Sequence, residues 1–380
     1  MADFQIKGWC PSALRPMLSG DGWLVRLRPR MARLTARQAT GLAKAARQYG
    51  NGLIDLTARG AIQLRGIGEA NHPALIADLQ ALGLIDRLDQ RIVVSPYWQP
   101  GDGTAEIVDA LEMMFAAPGA PRLPDKFGFS IGLSRQSVLH RVAADIRIEW
   151  HHAGILVRAD SFAVGRVVQT PAEAGQAACD LATWFLASGG AAADRGRMAR
   201  LWPEDGFGDR QRRLPPAFQT GGALISEGDK TTPGLHPLGM LVGLEFGQMG
   251  AETLMALATQ PLRITPWRLI LLEGAAMAPA IPGLITDAAD PRLRVTACSG
   301  APACAQGLQP TRPLARALAT LTPEGQHLHV SGCTKGCAHP GPADLTLTAT
   351  ADGYAIIRNG RASGLADGAY APSSNPFKAL

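Results

Sequence analysis

Gly22-Trp23-Leu24-Val25-Arg26-Leu27 returns later in the chain as Gly239-Met240-Leu241-Val242-Gly243-Leu244. Each run is short and alternating, the pattern of a strand with one face buried. The residues after each run repeat as well. The first run leads, through a helical stretch from Thr35 to Tyr49, to Leu56-Thr57-Ala58-Arg59 and Ile62-Gln63-Leu64-Arg65-Gly66. The second leads to Ile264-Thr265-Pro266-Trp267 and Ile270-Leu271-Leu272-Glu273-Gly274. Thr35 is placed to cap its helix and Gly50 to stop it. The second copy is shorter and more apolar. The pattern predicts one duplicated half-domain, with other structure between the copies.

Around this frame, Arg91 to Pro96, Phe127 to Gly132 and Ala144 to Ile148 read as strands. Thr104 to Ala117 and Pro171 to Leu186 read as helices. Residues 203–237 are rich in Pro, Gly and charge and read as a linker. The tail from Ala362 reads as frayed. The expected class is α+β, divided into a first half-domain (1–85), a first α+β lobe (86–225), a second half-domain (226–285) and a second α+β lobe (286–380).

A hydrophobic content of 46% and a charged content of 18% fit a folded chain. No apolar stretch is long enough to span a bilayer, and Met1 to Lys7 lacks a secretory core. A cytoplasmic location is expected, with no membrane partner. The net charge of +5 is carried by 31 Arg and only 6 Lys. Arginine forks grip carboxylates and phosphates, but a chain also rich in Ala and Gly carries many arginines through codon usage alone. Only the placement of particular arginines bears on function.

Four of the six cysteines lie near the C-terminus: Cys298, Cys304, Cys333 and Cys337, as C-x5-C, 28 intervening residues, then C-x3-C. Four thiolates from two loops are what a cubane iron–sulfur cluster needs. Zinc ribbons use tighter pairs, and disulfides do not suit a chain without an export signal. Arg294 to Ala297 and His327 to Val330 read as strands that deliver the two loops, and Cys304 is expected to open a helix through Leu314, Ala317 and Leu318. Lys335 is placed to offset thiolate charge, or simply to be exposed.

The repeat and the cysteine pattern together resemble the sulfite/nitrite reductase superfamily, over about residues 8–360. The resemblance implies two ferredoxin-like half-domains flanked by two α+β lobes, the last carrying a 4Fe-4S cluster on the four cysteines beside a sirohaem. Gly8-Trp9-Cys10-Pro11-Ser12-Ala13-Leu14-Arg15-Pro16-Met17, Gly50 to Thr57 and Cys337-Ala338-His339-Pro340-Gly341 are similar to a branch of that family serving aerobic cobalamin biosynthesis. That branch implies a monooxygenase acting on the tetrapyrrole precorrin-3A with dioxygen, with C20 hydroxylation and closure of a ring-A lactone. It also implies a second iron centre, with NADH as an indirect electron source. No Gly-x-Gly-x-x-Gly follows a strand, so an electron-donating reductase or ferredoxin is the expected partner.

Residue by residue, the resemblance places Thr57, Arg59 and Gln63 in the reductase motif at the tetrapyrrole and Arg91 at a second anion-binding position. Leu123-Pro124-Asp125-Lys126-Phe127-Gly128 matches a motif with two substrate-facing lysines, of which Lys126 is kept and the second has become Gly128. That loss weakens an anion cage and is expected to open space beside the macrocycle. Arg59, Arg91 and Lys126 are the implied catalytic residues. Thr57, Gln63, Arg65, Arg195, Arg197 and Arg200 are the implied substrate-binding residues, with Arg135 and Arg141 as further candidates. Trp267 and Leu271 replace Arg59 and Gln63 in the second copy, so one live site is expected. His140, His236, His339 and Cys10 are candidates for the second iron, each also readable as structural; Cys179 reads as core. Two other functions stay open: a sirohaem-dependent sulfite or nitrite reductase, and a non-enzymatic iron–sulfur redox sensor. No helix-turn-helix or basic-aromatic stripe supports a nucleic-acid partner.

Overall fold

Thr35 caps the helix Ala36–Tyr49 in a full capping box: its hydroxyl accepts from the Gln38 N–H, and the Gln38 side chain accepts from the Thr35 N–H. Gly50 ends the helix for a different reason from the one its position suggests. Its backbone is extended, and a Cβ there would lie 2.4 Å from the Arg65 carbonyl oxygen. The computed structural model describes residues 11–85, 91–191, 196–202, 206–219, 231–371 and 375–377.

The repeat builds two sheets of the same order. The first runs Met17–Ser19, Gly22–Leu27, Ile62–Ile67, Leu53–Leu56 and then Gln248–Gly250. The second runs Gly234–His236, Gly239–Leu244, Leu269–Glu273, Leu262–Ile264 and then Arg33–Leu34. Each half therefore lends a short strand to the other's sheet, and the sheets cross the sequence boundaries expected at 85 and 226. The helices Ala36–Tyr49 and Ala251–Leu257 pack together over the inner faces, where Val25, Leu27, Leu64, Val242, Ile270 and Leu272 form one core.

The two remaining sheets also match each other. Ile92–Val94, Phe129–Gly132 and Ile146–His151 pair in parallel, then Gly154–Ala159 and Arg166–Val168 add antiparallel. Val295–Ala297, Leu328–Ser331 and Ala343–Thr350 pair in parallel, then Gly353–Gly360 and Gly368–Ala369 add antiparallel. This second likeness is invisible in the residues, because a sheet buried on both faces needs only apolar runs.

Three expectations change. Cys304 opens no helix: it lies in a turn, and the helix begins only at Arg312, after Gly307 and Pro310, and runs to Ala319. The tail is built into the last lobe, where Ala362 is 2% exposed and Tyr370 and Phe377 join the core; residues 372–374 and 378–380 lie outside the described residues. Within 203–237 the described residues include a helix at Phe207–Arg213 and a strand at Gly234–His236, while 203–205 and 220–230 are not described.

The exchanged strand Arg33–Leu34 is locked by charge. Arg33 donates two hydrogen bonds of 2.8 Å to Glu273, which also accepts from the buried Arg263. Arg263 in turn donates to the carbonyls of Pro96 and Trp98, joining the second sheet to the first lobe. Burial favours the neutral form of Glu273, but the hydrogen bonds and charges of Arg33 and Arg263 outweigh it and hold the carboxyl below the usual range. Glu273→Ala would leave Arg263 buried and unpaired, an expected loss of about 3–5 kcal/mol in denaturant unfolding. Glu252→Ala, which breaks only an exposed pair with Arg47, should stay within about 1 kcal/mol. Because the Glu273 pKa is depressed, its contribution is present above the unfolded carboxylate pKa and is lost as pH falls through the folded one. The stability difference between wild type and Glu273→Ala should therefore shrink in acid; a constant difference would refute the assignment.

Candidate functional site

Parallel pairing brings the cysteines together. Val295 aligns with Leu328 and Ala297 with Val330, so both strands end at the same edge. Cys298 leaves the first strand there, and Cys333 and Cys337 come after the second. The Cys304 loop folds back onto them: its N–H bonds the Gly300 carbonyl, and the Leu308 N–H bonds the Gly332 carbonyl. All four cysteines line one cleft of about 310 Å³ between this lobe and the outer face of the first half-domain sheet.

The thiols share one electrostatic environment. Cys298 accepts a hydrogen bond from the Cys337 thiol and further ones from the Gly332 and Gly300 N–H groups, which together lower its pKa against the opposing effect of burial. Cys337, the donor, is pushed up. Burial raises Cys333, while the Lys335 backbone N–H and side-chain charge pull it down. All five described cysteines are free thiols. Among the described residues, no three of His, Cys, Asp or Glu gather closely enough to hold a single metal ion. Sulfurs around one zinc sit about 3.8 Å apart, from a Zn–S bond of about 2.3 Å. Thiolates that each hold a separate iron need not sit so close. Four cysteines lining one cleft, with N–H donors at Cys298, are a donor set that fits a 4Fe-4S cluster.

The facing wall is polar. Gln63 accepts from Arg26, at 3.0 Å from Nε and 2.5 Å from Nη2. Thr57 shapes its turn, accepting from the N–H groups of Arg59 (3.3 Å) and Ala61 (3.1 Å). Arg65 is 4% exposed and is taken up by protein partners rather than held open as a carboxylate fork. It bonds Asp21 and Asp55, and with Ser19 it holds the Ala303 carbonyl, the residue before Cys304. Burial opposes its charge, but the two carboxylates outweigh this and raise its pKa. Asp55 also accepts from Arg312, at the start of the cysteine lobe's helix, and from Gln248 on the exchanged strand.

The expected catalytic trio lies elsewhere. Arg59, in the same turn as Thr57, reaches away from the cysteines toward the first lobe. A Cβ on Gly128 would lie 2.5 Å from Arg59 Nη2 and 3.1 Å from the Arg91 carbonyl oxygen. Gly128 therefore opens no vacant space; the Arg59 guanidinium fills it. Arg91 donates to the Pro124 carbonyl at 2.7 Å, and Lys126 is exposed. Of the other arginines, Arg197 is bound to the fully buried Asp145, Arg200 is exposed, and Arg195 lies outside the described residues. Arg135 stacks over Trp150. His140 bonds the Ser137 carbonyl, His236 stacks on Tyr97, and Cys10 is not described.

Sequence reasoning missed Arg268 and His329. Thr265 repeats the turn of Thr57, accepting from the N–H groups of Trp267 (3.3 Å) and Leu269 (3.1 Å). The left-handed position of that turn is Gly60 (φ 64°) in the first copy and Arg268 (φ 63°) in the second. A side chain there costs about 1–3 kcal/mol. Arg268 enters the cysteine cleft and donates to the Ala338 carbonyl at 2.9 Å. Burial lowers its pKa, opposed by Asp55, Cys337 and Cys298. His329 is fully buried beside His339, and both its ring nitrogens lack a hydrogen-bond partner. Burial, then His339, His327 and Arg268, depress its pKa to about 3, so it stays neutral. Only the repeat register, compared residue by residue, could have flagged Arg268.

Arg65→Lys keeps a charge but loses the planar fork that spans Asp21, Asp55 and Ala303. In reduced metal-free protein, alkylation of Cys304 followed by peptide mass spectrometry should be faster in this variant than in wild type. Cys179, on the helix Pro171–Ala187, should react at an unchanged rate. Equal rates at Cys304 would show that Arg65 does not anchor its loop.

Residues 15–82 match the family of the nitrite/sulfite reductase ferredoxin-like half domain. Among solved structures, the NirA protein of Mycobacterium tuberculosis superposes with a TM-score of 0.64, covering 92% of this chain and 77% of that one. At 17% identity this likeness shows the fold, that of the sulfite/nitrite reductases. A precorrin-3B synthase from Sinorhizobium sp is 30% identical over 402 residues, spanning 94% of this chain and 84% of that relative. With that identity across nearly its whole length, on a reductase-like fold with a four-cysteine cleft, the chain belongs to the precorrin-3B synthase family.

Proposed function

We propose that the chain converts precorrin-3A to precorrin-3B as a monooxygenase, hydroxylating C20 and closing the ring-A lactone. The observation that carries the reading is the convergence of all four cysteines on one cleft faced by the first half-domain, in a chain so similar to a precorrin-3B synthase. Cys298, Cys304, Cys333 and Cys337 would hold a 4Fe-4S cluster, which supplies electrons one at a time. One oxygen atom of dioxygen enters the product and the other leaves as water, with two electrons drawn from NADH through a separate donor protein. A cytoplasmic site suits both thiolate ligation and that donor.

The chain's own residues supply binding and charge. Arg26, Gln63 and Arg312 present polar groups on the cleft wall, where a carboxylate-rimmed macrocycle needs forks. Arg59, Arg91 and Lys126, which lie on the side of the first lobe, would stabilise negative charge developing on oxygen. The further iron implied by this family has no described ligand set. A sulfite-reducing role is disfavoured by Gly128: a lysine there cannot be built beside Arg59 without displacing its guanidinium.

Purified anaerobically, the protein should carry about four irons and four sulfides per chain, and alanine at any of the four cysteines should make the cluster labile. Cys179→Ala should keep it. A stoichiometric zinc would sink the cluster. With labelled dioxygen, precorrin-3A and an electron donor, one labelled oxygen should enter the product. Label absent from product, or catalytic sulfite reduction by sirohaem-loaded protein, would replace this reading with the reductase one. Arg59→Ala should cost turnover about 100- to 1000-fold while leaving the cluster in place; Trp267→Ala, at the equivalent turn position, should act on stability instead.

A further inference from the structure

We propose that Arg268 is the resident counter-charge of the cysteine cleft and raises the reduction potential of the cluster bound there. The short turn before each exchanged strand is Arg30–Ala32 in the first copy and Glu245–Gly247 in the second, with Met31 (φ 55°) and Phe246 (φ 53°) matching in backbone. Ala32 therefore corresponds to Gly247, as Gly60 corresponds to Arg268. A Cβ on Gly247 would lie 2.6 Å from Arg268 Cδ and 3.0 Å from its Cβ. In the second copy Gly247 carries no side chain, and the Arg268 stem occupies the space a methyl would take. The bare Gly247 and the left-handed backbone of Arg268 together admit a guanidinium to this cleft.

Its surroundings explain the use. The guanidinium is held by the Ala338 carbonyl, next to Cys337, and lines the same cleft as all four cysteines. Arg312, the neighbouring cation, is bound to Asp55, whereas the hydrogen bond of Arg268 goes to a neutral carbonyl. Its charge therefore acts on Cys337 and Cys298 as well as on Asp55, in a partly water-excluded site where charge acts strongly. A cation there favours adding an electron to a thiolate-bound cluster, and arginine carries it at any working pH.

The inference rests on the cluster reading, and its test separates the two. Midpoint potentials would be measured by optical redox titration of holoprotein, with no turnover required. Arg268→Gln should lower the potential, and Arg268→Lys should hold it near wild type. Gly247→Ala, which keeps the charge but crowds its stem, should lower it as well. Arg316→Gln, an exposed partner of Glu245 outside the cleft, should change nothing. Wild-type protein without a cluster would defeat the cluster reading itself. A cluster at wild-type potential in Arg268→Gln would defeat the counter-charge alone. Arg268→Lys behaving like Arg268→Gln would also overturn it, since the role would then be the hydrogen bond to Ala338. If Arg268→Gln cannot retain a cluster, Arg268→Lys at wild-type potential together with a lowered Gly247→Ala supports the proposal; an unshifted Gly247→Ala overturns it.

Discussion

Asp55 is the point at which four parts of the chain meet. It is 5% exposed and accepts from Arg65 on the next strand, from Gln248 on the strand lent by the other half, and from Arg312 on the cysteine lobe. A buried carboxylate with these partners is stable only as a set, because losing any cation leaves charge unpaired in a low dielectric. The set ties the cysteine-bearing lobe to the sheet it faces. Through Arg65 it also holds the carbonyl before Cys304, so the same cluster of charges that builds the domain contact sets the position of a cysteine.

The second half-domain solves the equivalent problem with the signs reversed. In the shared register Asp55 corresponds to Arg263 and Arg65 to Glu273, and the pair forms again. The exchanged strand is bound in both halves, by Gln248 to Asp55 and by Arg33 to Glu273. The copies differ where they face outward. Arg26 and Gln63 make the first outer face polar, toward the cysteines. Leu241, Leu269 and Leu271 make the second apolar, packed against Trp267 and Tyr97. Duplication supplied two equal platforms, and side-chain polarity assigned one to a cleft and the other to a core.

Glycine decides where charge can go. Gly128 admits the Arg59 guanidinium against the first lobe, and Gly247 admits the Arg268 stem beside the cysteines. In each case the missing methyl lies on a different element from the arginine it accommodates. The two arginines belong to equivalent turns, at adjacent positions of the repeat, yet they serve opposite lobes.

The sequence by itself determined the duplication, the helix capped at Thr35 and the delivery of cysteines at strand ends, because alternation, caps and loop composition are local. Its cysteine spacing was legible because a cluster needs its ligands from a small number of loops. It did not reveal that the halves exchange strands, that the two lobes share one sheet order, or that the helix after Cys304 starts only at Arg312. Nor did it show which arginines face the cleft. Arg65 and Arg197 read as open forks, and both prove to be bound to buried carboxylates. Arg268 drew no notice, since nothing local marks a residue that takes the place of a glycine. Whether a guanidinium is committed or available depends on carboxylates distant in the chain, and only the tertiary structure brings those together.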